Sequence, residues 1–89
     1  MRARARVTGR VQGVSFRVYT MQEATRGKVV GWVRNEPDGA VLLEAEGEQA
    51  AVEQLLEWCH KGPAAGRVKN VEVEWIDPLG SETSFRIRH

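Results

Sequence analysis

The chain has 89 residues, which is enough for one small domain and too few for two, so we expect a single domain over residues 1–89. Hydrophobic residues make up 42% and charged residues 28%, as in ordinary soluble proteins, and the net charge of +1 is far from the strongly basic balance of proteins that mainly bind nucleic-acid phosphates. No apolar run approaches the roughly 20 residues of a membrane span, and the single Cys59 excludes an internal disulfide, so we expect a cytoplasmic protein without a structural metal.

The first predicted element is a strand. Ala3, Ala5 and Val7 alternate with arginines at positions 2, 4 and 6, which predicts one inward face and one solvated face. A loop with glycines at positions 9 and 13 follows. Helical spacing then predicts a helix from Ser15 or Phe16 to Arg26, with an inward face of Phe16, Tyr19, Thr20 and Ala24 and a left-handed stop at Gly27.

Two strands and a second helix come next. Residues 29–35 and 40–47 are rich in β-branched or aliphatic residues, and the sequence EPDG between them is typical of a type I turn, so we expect a hairpin. The second helix begins near Glu48, ends at Gly62 and Pro63, and presents the apolar face Val52, Leu55, Leu56 and Cys59.

The last two predicted elements are strands. Residues 67–75 alternate, with Val71, Val73 and Trp75 on one face, and a short strand passes through Phe85 and Ile87. The order is β-α-β-β-α-β with a short extra strand, which predicts an α+β fold of the ferredoxin-like α/β sandwich type. Because each helix has one apolar face, both helices must cover the same face of a mostly antiparallel sheet.

The stretch GRVQGVSFR, residues 9–17, carries the first functional signal. A glycine-containing turn that leads into a helix collects backbone N–H groups that favour an anion of phosphate size. Arg17 has no carboxylate three or four positions away, and a cation in the first helical turn is unfavourable for the helix dipole, so a group outside the helix should hold it. A simple strand-to-helix turn with a solvated Arg17 is the alternative.

The same stretch resembles a phosphate cradle without its nucleophile. Phosphatases that form a phosphocysteine carry Cys, five residues and Arg, whereas here Val11 precedes Arg17 by that spacing. Cys59 lies in the apolar stripe of the second helix, where a packed thiol is expected. Attack must then come from water, and Asn35, which ends a strand just before a turn that does not require it, is the candidate to orient that water. Asn35 bonding to its own backbone is the alternative.

GRVQGVSFR and GWVRNEPDGAVLLEAEG together resemble both sequence signatures of the acylphosphatase family, and the match extends to the closing FRIRH. The resemblance implies hydrolysis of carboxyl-phosphate mixed anhydrides, with no cofactor or metal. It makes Arg17 the phosphate-binding arginine, Asn35 the water-orienting asparagine, and the backbone amides of Gln12, Gly13, Val14, Ser15 and Phe16 the phosphate cradle. Ser15 departs from the glycine usual in the family, and a left-handed backbone there would be strained. The sequence RGKVV departs from the more common Leu-Gly before the second strand.

Acyl phosphates suit so sparse a site. The departing carboxylate has a conjugate acid of pKa near 4, so it leaves at neutral pH without a proton from a general acid. The two histidines, His60 and His89, lie outside the motifs, and we expect surface or turn positions for them and for Asp38 and Asp77. The expected partners are a small acyl phosphate as substrate and inorganic phosphate as product and inhibitor, without nucleic acid or membrane, and the protein is expected to be a monomer.

Two other functions remain open. An RNA-recognition domain or a non-catalytic phosphate-binding module shares the strand and helix order, and arginines 2, 4, 6 and 10 could form a basic stripe. The strand that should carry stacking aromatic residues instead carries Glu44 and Glu46, and Trp32 and Trp75 are expected to fill the core. The second alternative is an acylphosphatase-like domain that hands carbamoyl phosphate to a larger maturation enzyme.

Overall fold

Five strands form one sheet in the computed structural model, which describes all 89 residues. The elements in chain order are β1 (Arg2–Arg10), α1 (Phe16–Arg26), β2 (Val30–Asn35), β3 (Val41–Glu46), α2 (Gln49–Lys61), β4 (Arg67–Ile76) and β5 (Phe85–Arg88). This confirms the predicted β-α-β-β-α-β order with its extra strand and the ferredoxin-like α+β fold. Neither helix is long and apolar enough to cross a membrane.

The strand order β4-β1-β3-β2-β5 determines where the strands end. β1 and β2 flank β3 and both pair with it antiparallel, while β5 pairs parallel to β2. β1, β2 and β5 therefore run in one direction, and their carboxyl ends lie at one edge of the sheet, which we call the upper edge. The loop after β1, Asn35 at the end of β2 and His89 after β5 all lie there.

Sixteen buried residues form the core between the sheet and the helices. The predicted inward residues of β1 and the predicted apolar face of α2 are all among them: Ala3, Ala5, Val7, Val52, Leu55, Leu56 and Cys59. Burial raises the pKa of the Cys59 thiol to about 12, so the thiolate needed for nucleophilic attack is absent at neutral pH. The expected packing role of Cys59 is confirmed.

Two aromatic residues expected inside lie at the surface. Tyr19 is 45% exposed on α1, and Trp75 is 44% exposed on β4, together with Val73 on the same face. β4 is the outermost strand on one side of the sheet, and the helices do not cover these residues of it. Trp32 is buried, but its register opposite Glu44 places it on the face away from the helices, where the guanidinium groups of Arg34 and Arg88 stack on it.

The end of α1 also differs from the expectation. Gly27 has φ −87°, which is not left-handed, and Lys28, with φ 58°, takes the left-handed conformation instead. The Gly27 N–H donates to the Glu23 carbonyl, and the Lys28 N–H donates to the Thr25 carbonyl, which closes the last turn. The chain reverses one residue later than predicted.

Arg2 overturns the prediction of a fully solvated arginine face on β1. Its side chain is 1% exposed and contacts the carboxylates of Glu44, Glu46 and Glu82 at 2.5–3.0 Å. Burial alone would disfavour the charged guanidinium, but hydrogen bonds to Glu82, Glu44 and Glu46 outweigh it and raise the pKa of Arg2. Glu46 also accepts hydrogen bonds from the N–H groups of Leu79 and Gly80. This cluster fixes the lower edge of the sheet to the segment that joins β4 and β5.

We expect Arg2→Met to destabilise the protein by about 3 kcal/mol, because it leaves the part-buried carboxylates of Glu46 and Glu82 without a cation and leaves Glu44 with Arg4 alone. Arg4→Met is the matched control: Arg4 also binds Glu44, but its side chain is 49% exposed, so its loss should cost about 1 kcal/mol or less. Urea unfolding at neutral pH measures both. Equal losses for the two variants would contradict the special role of Arg2.

Candidate active site

A cavity of about 410 Å³ opens at the upper edge of the sheet. Its lining comes from four parts of the chain: the β1–α1 loop, the first turn of α1, the end of β2 and the end of β5. The lining residues are Val11, Gly13, Ser15, Phe16, Arg17, Val18, Asn35, Ile87 and His89. The parallel direction of β1, β2 and β5 thus brings the two sequence signatures to one place.

The β1–α1 loop presents a row of backbone donors. Gly13 and Ser15 have left-handed backbones, with φ 76° and 62°, and these two reversals turn the chain from the strand into the helix. Residues 12–15 form a turn in which no N–H group makes a well-aligned hydrogen bond to a protein acceptor, and the first helical hydrogen bond is that from Tyr19 to the Ser15 carbonyl. The hydroxyl of Ser15 makes no capping hydrogen bond. The amides predicted for the phosphate cradle, residues 12–16, therefore have no strong partner within the protein.

Gln12 has a second role that the sequence analysis missed. Its side-chain Nε2 donates to the carbonyls of Glu36 and Ala40, at 2.8 Å each. These carbonyls flank the β2–β3 turn, so Gln12 fastens the loop to the strand end that carries Asn35. Of the five residues predicted for the cradle, Gly13, Ser15 and Phe16 line the cavity, whereas Gln12 and Val14 do not; Val14 packs against the core. An amide side chain one residue before a loop glycine gives no sequence signal of this contact.

Arg17 enters the cavity without a carboxylate partner. Two nearby arginines do have carboxylate partners, since Arg6 pairs with Asp38 and Arg34 pairs with Glu36. The one side-chain contact of Arg17 is with His89, whose Nδ1 lies 3.4 Å from the Arg17 Nη1. The cavity therefore contains a full positive charge that no protein anion offsets.

Asn35 faces the same side of the sheet as the helices, because its register partner is the buried Val41. Its side chain makes no hydrogen bond within the protein, which removes the alternative of an asparagine bonded to its own backbone. The following turn is held by its own residues: the Gly39 N–H donates to the Glu36 carbonyl, and the Asp38 carboxylate accepts from the Ala40 N–H. The amide of Asn35 is free to bind a molecule in the cavity.

His89 is exposed, as expected, but it also lines the cavity beside Arg17, a contact that its sequence position does not indicate. His60 remains on the exposed side of α2, where its Nδ1 contacts the Leu56 carbonyl, and Asp38 lies in a turn as expected. No group of three or more His, Cys, Asp or Glu side chains is arranged to hold a metal ion.

Comparison with known proteins agrees with this geometry. The family model described as Acylphosphatase matches residues 3–87. The acylphosphatase of Anaeromyxobacter dehalogenans (strain 2CP-C) is 58% identical over 88 residues, which are 99% of this chain and 95% of that protein. The crystal structure of acylphosphatase from Bacillus subtilis superposes with a TM-score of 0.95 at 35% identity and covers 99% of this chain and 98% of that one. HypF of T. kodakarensis is 27% identical with a TM-score of 0.85, but the match spans 12% of its chain.

Ser15 is the residue of the loop with measurable backbone strain. A left-handed conformation is unfavourable for serine and accessible to glycine, so Ser15→Gly should stabilise the fold by about 0.5 to 1 kcal/mol after the greater entropy of unfolded glycine is subtracted. Ser15→Ala should change stability little, because the hydroxyl makes no cap. Lys28→Gly, at the other left-handed position, is the positive control. Thermal and urea unfolding measure all three, and a Ser15→Gly variant less stable than the parent would contradict the strain.

Proposed function

This chain belongs to the acylphosphatase family and is an acylphosphatase, and we propose that the cavity at the upper edge of its sheet is where it hydrolyses the carboxyl-phosphate anhydride. One observation carries the proposal: the guanidinium of Arg17, which no protein carboxylate contacts, the loop residues Gly13 and Ser15 with the first turn of α1, and the free amide of Asn35 line one cavity. The guanidinium group, the backbone N–H groups and the Asn35 amide can all donate hydrogen bonds, and the phosphoryl oxygens can only accept them. The substrate class is small acyl phosphates.

In the proposed mechanism the loop is the phosphate cradle. Arg17 binds two phosphoryl oxygens with its planar fork, and the amides of Gln12, Gly13, Val14, Ser15 and Phe16 surround the third. These donors stabilise the charge that spreads over the phosphoryl oxygens in the transition state, and they are in place before the reaction. The Gln12 side chain supports them by holding the loop against the β2–β3 turn.

Asn35 would position the attacking water. Its side-chain oxygen can accept a hydrogen bond from the water while the water oxygen points at phosphorus, in line with the departing carboxylate. Both protons of the water remain on the phosphate that forms, which is released as dihydrogen phosphate and then ionises in solvent. The P–O bond to the new oxygen forms as the bond to the carboxylate oxygen breaks, and that oxygen leaves with the electron pair. The carboxylate is stable at neutral pH, so the step needs neither a general acid nor a metal. The products are the free carboxylate and inorganic phosphate, which we expect to inhibit by occupying the cradle.

We further propose that the protein acts as a cytoplasmic monomer and a single domain, without a nucleic-acid or membrane partner. The charge pattern of the sheet supports the absence of RNA binding. Arg2 and Arg4 are paired with Glu44, and Arg6 is paired with Asp38, so the arginines of β1 do not form a free basic stripe. The near-complete match to the small acylphosphatase of Anaeromyxobacter dehalogenans favours the small enzyme over a donor domain of a larger one.

The first experiment follows cleavage of an aryl acyl phosphate by its ultraviolet absorbance in the presence of EDTA, with an aryl phosphate monoester at equal concentration as the control. We expect rapid, phosphate-inhibited hydrolysis of the anhydride and no turnover of the monoester, whose alkoxide or phenoxide leaving group needs help that this site lacks. Loss of activity with EDTA would contradict the metal-free mechanism. A folded sample that binds phosphate without turnover would reduce the site to a binding module.

Two variants separate the proposed roles. Arg17→Ala should abolish activity and phosphate inhibition together, because it removes the charge that binds the phosphoryl group. Asn35→Ala should lower kcat by about 10²-fold or more while the inhibition constant for phosphate stays nearly unchanged, because water positioning acts only in the reaction step. Arg10→Ala is the matched control, since Arg10 is an exposed arginine that precedes the loop and lies outside the cavity lining. An unchanged kcat in Asn35→Ala would contradict the role of Asn35.

A further inference from the structure

His89 occupies a position that the proposed mechanism does not use. It follows the last residue of β5, lines the cavity, and holds its Nδ1 3.4 Å from the Nη1 of Arg17. A guanidinium group can only donate, so the contact requires a lone pair on the Nδ1. The contact fits the tautomer of His89 that carries its proton on Nε2.

Arg17 is the only ionisable side chain besides His89 that lines the cavity. α1 contributes Arg17, β2 contributes the neutral Asn35, and the β1–α1 loop contributes backbone amides and the Ser15 hydroxyl. The remaining charges of β2 and β5 lie on the opposite face of the sheet, where Arg34 pairs with Glu36 and Arg88 stacks on Trp32. Protonation of His89 thus places a second positive charge beside the first, which is unfavourable in the empty cavity and favourable once an anion lies between them.

We propose that His89 is a second, proton-dependent contact for the anion, so that a doubly charged ligand binds together with a proton. This inference rests on the proposed function, because it assumes that the cavity binds the phosphoryl group. Phosphoryl oxygens that take the donors of Arg17 release His89 from that contact. Its ring is then one hydrogen bond from the anion and can carry a proton on both nitrogens. Histidine is the side chain that changes charge between about pH 5 and 8, so the effect falls in an accessible range.

The proposal predicts that the affinity of the protein for a dianion increases as the pH falls. Below neutrality His89 becomes protonated in the complex more readily than in the free protein, so binding takes up a proton and tightens as the pH falls. Inorganic phosphate is a poor probe, because it changes its own charge near pH 7. Sulfate has the same tetrahedral shape and stays a dianion throughout the range, so it reports the protein alone.

The experiment measures the dissociation constant for sulfate by calorimetry from pH 5.0 to 8.0 at constant ionic strength. For the parent protein we expect tightening on the order of fivefold between the two ends, the effect of one added charge a few ångströms from the anion in a solvent-open site. His89→Gln should bind with the parent's pH 8 affinity at every pH, because its amide can accept from Arg17 but cannot gain charge. His89→Lys should bind tightly at pH 8 and show no slope.

Two controls complete the test. His60→Gln removes the other histidine, which lies on α2 outside the cavity, and should retain the parent's slope. All variants keep the main chain at residue 89, and urea unfolding verifies that each is folded. A flat parent profile, or a slope that survives in His89→Gln, would overturn the role of His89 and leave the proposed function standing. Absence of sulfate binding at every pH would instead contradict the anion site itself.

Discussion

Antiparallel pairing of β3 with a strand on each side is the constraint from which the site follows. Because β1 and β2 both oppose β3, they share a direction, and β5 joins β2 in parallel. The loop that follows β1 and the asparagine that ends β2 are separated by a helix in the sequence, yet they meet at one edge. A fold with the same elements but with β1 and β2 antiparallel to each other would place Arg17 and Asn35 at opposite ends of the sheet.

The upper and lower edges of the sheet differ in how their charged and polar groups are paired. At the lower edge the charges are paired: Arg2 contacts three carboxylates, and the Glu46 carboxylate also accepts hydrogen bonds from two backbone N–H groups. At the upper edge the chain leaves a row of amides without a strong partner, one arginine uncompensated and one serine in a strained conformation. Unpaired donors and backbone strain cost stability, and they persist where the surrounding structure holds them in place. The Arg2 cluster and the Gln12 contacts are the rigid supports that make such an edge tolerable.

The sequence predicted the elements well because their signals are local. Alternation in β1 and helical spacing in α2 depend on residues a few positions apart. The family signatures suggest Arg17 and Asn35 as site residues, and the structure brings both to one cavity. The failures involve partners distant in the chain. Arg2 looked solvated because its carboxylates lie more than 40 residues away. Trp75 looked buried because alternation identifies a face without showing that a helix covers it. Nothing in the local pattern indicated that His89 reaches Arg17, which lies 72 positions earlier.

The chemistry of the leaving group explains why the site needs so few side chains. An enzyme that must protonate an alkoxide needs an acid with a tuned pKa, and burial or neighbouring charges must supply that tuning. A carboxylate leaves without a proton, so the proposed site has two tasks: to stabilise the negative charge on the phosphoryl oxygens and to orient the attacking water. Hydrogen-bond donors are enough for both tasks. A guanidinium group and backbone amides donate hydrogen bonds without gaining or losing a proton in the reaction. A titratable neighbour in such a site changes the strength of the charge without taking part in proton transfer. The proposed protonation of His89 would therefore change how tightly the site binds an anion. It would affect the substrate and the product phosphate alike.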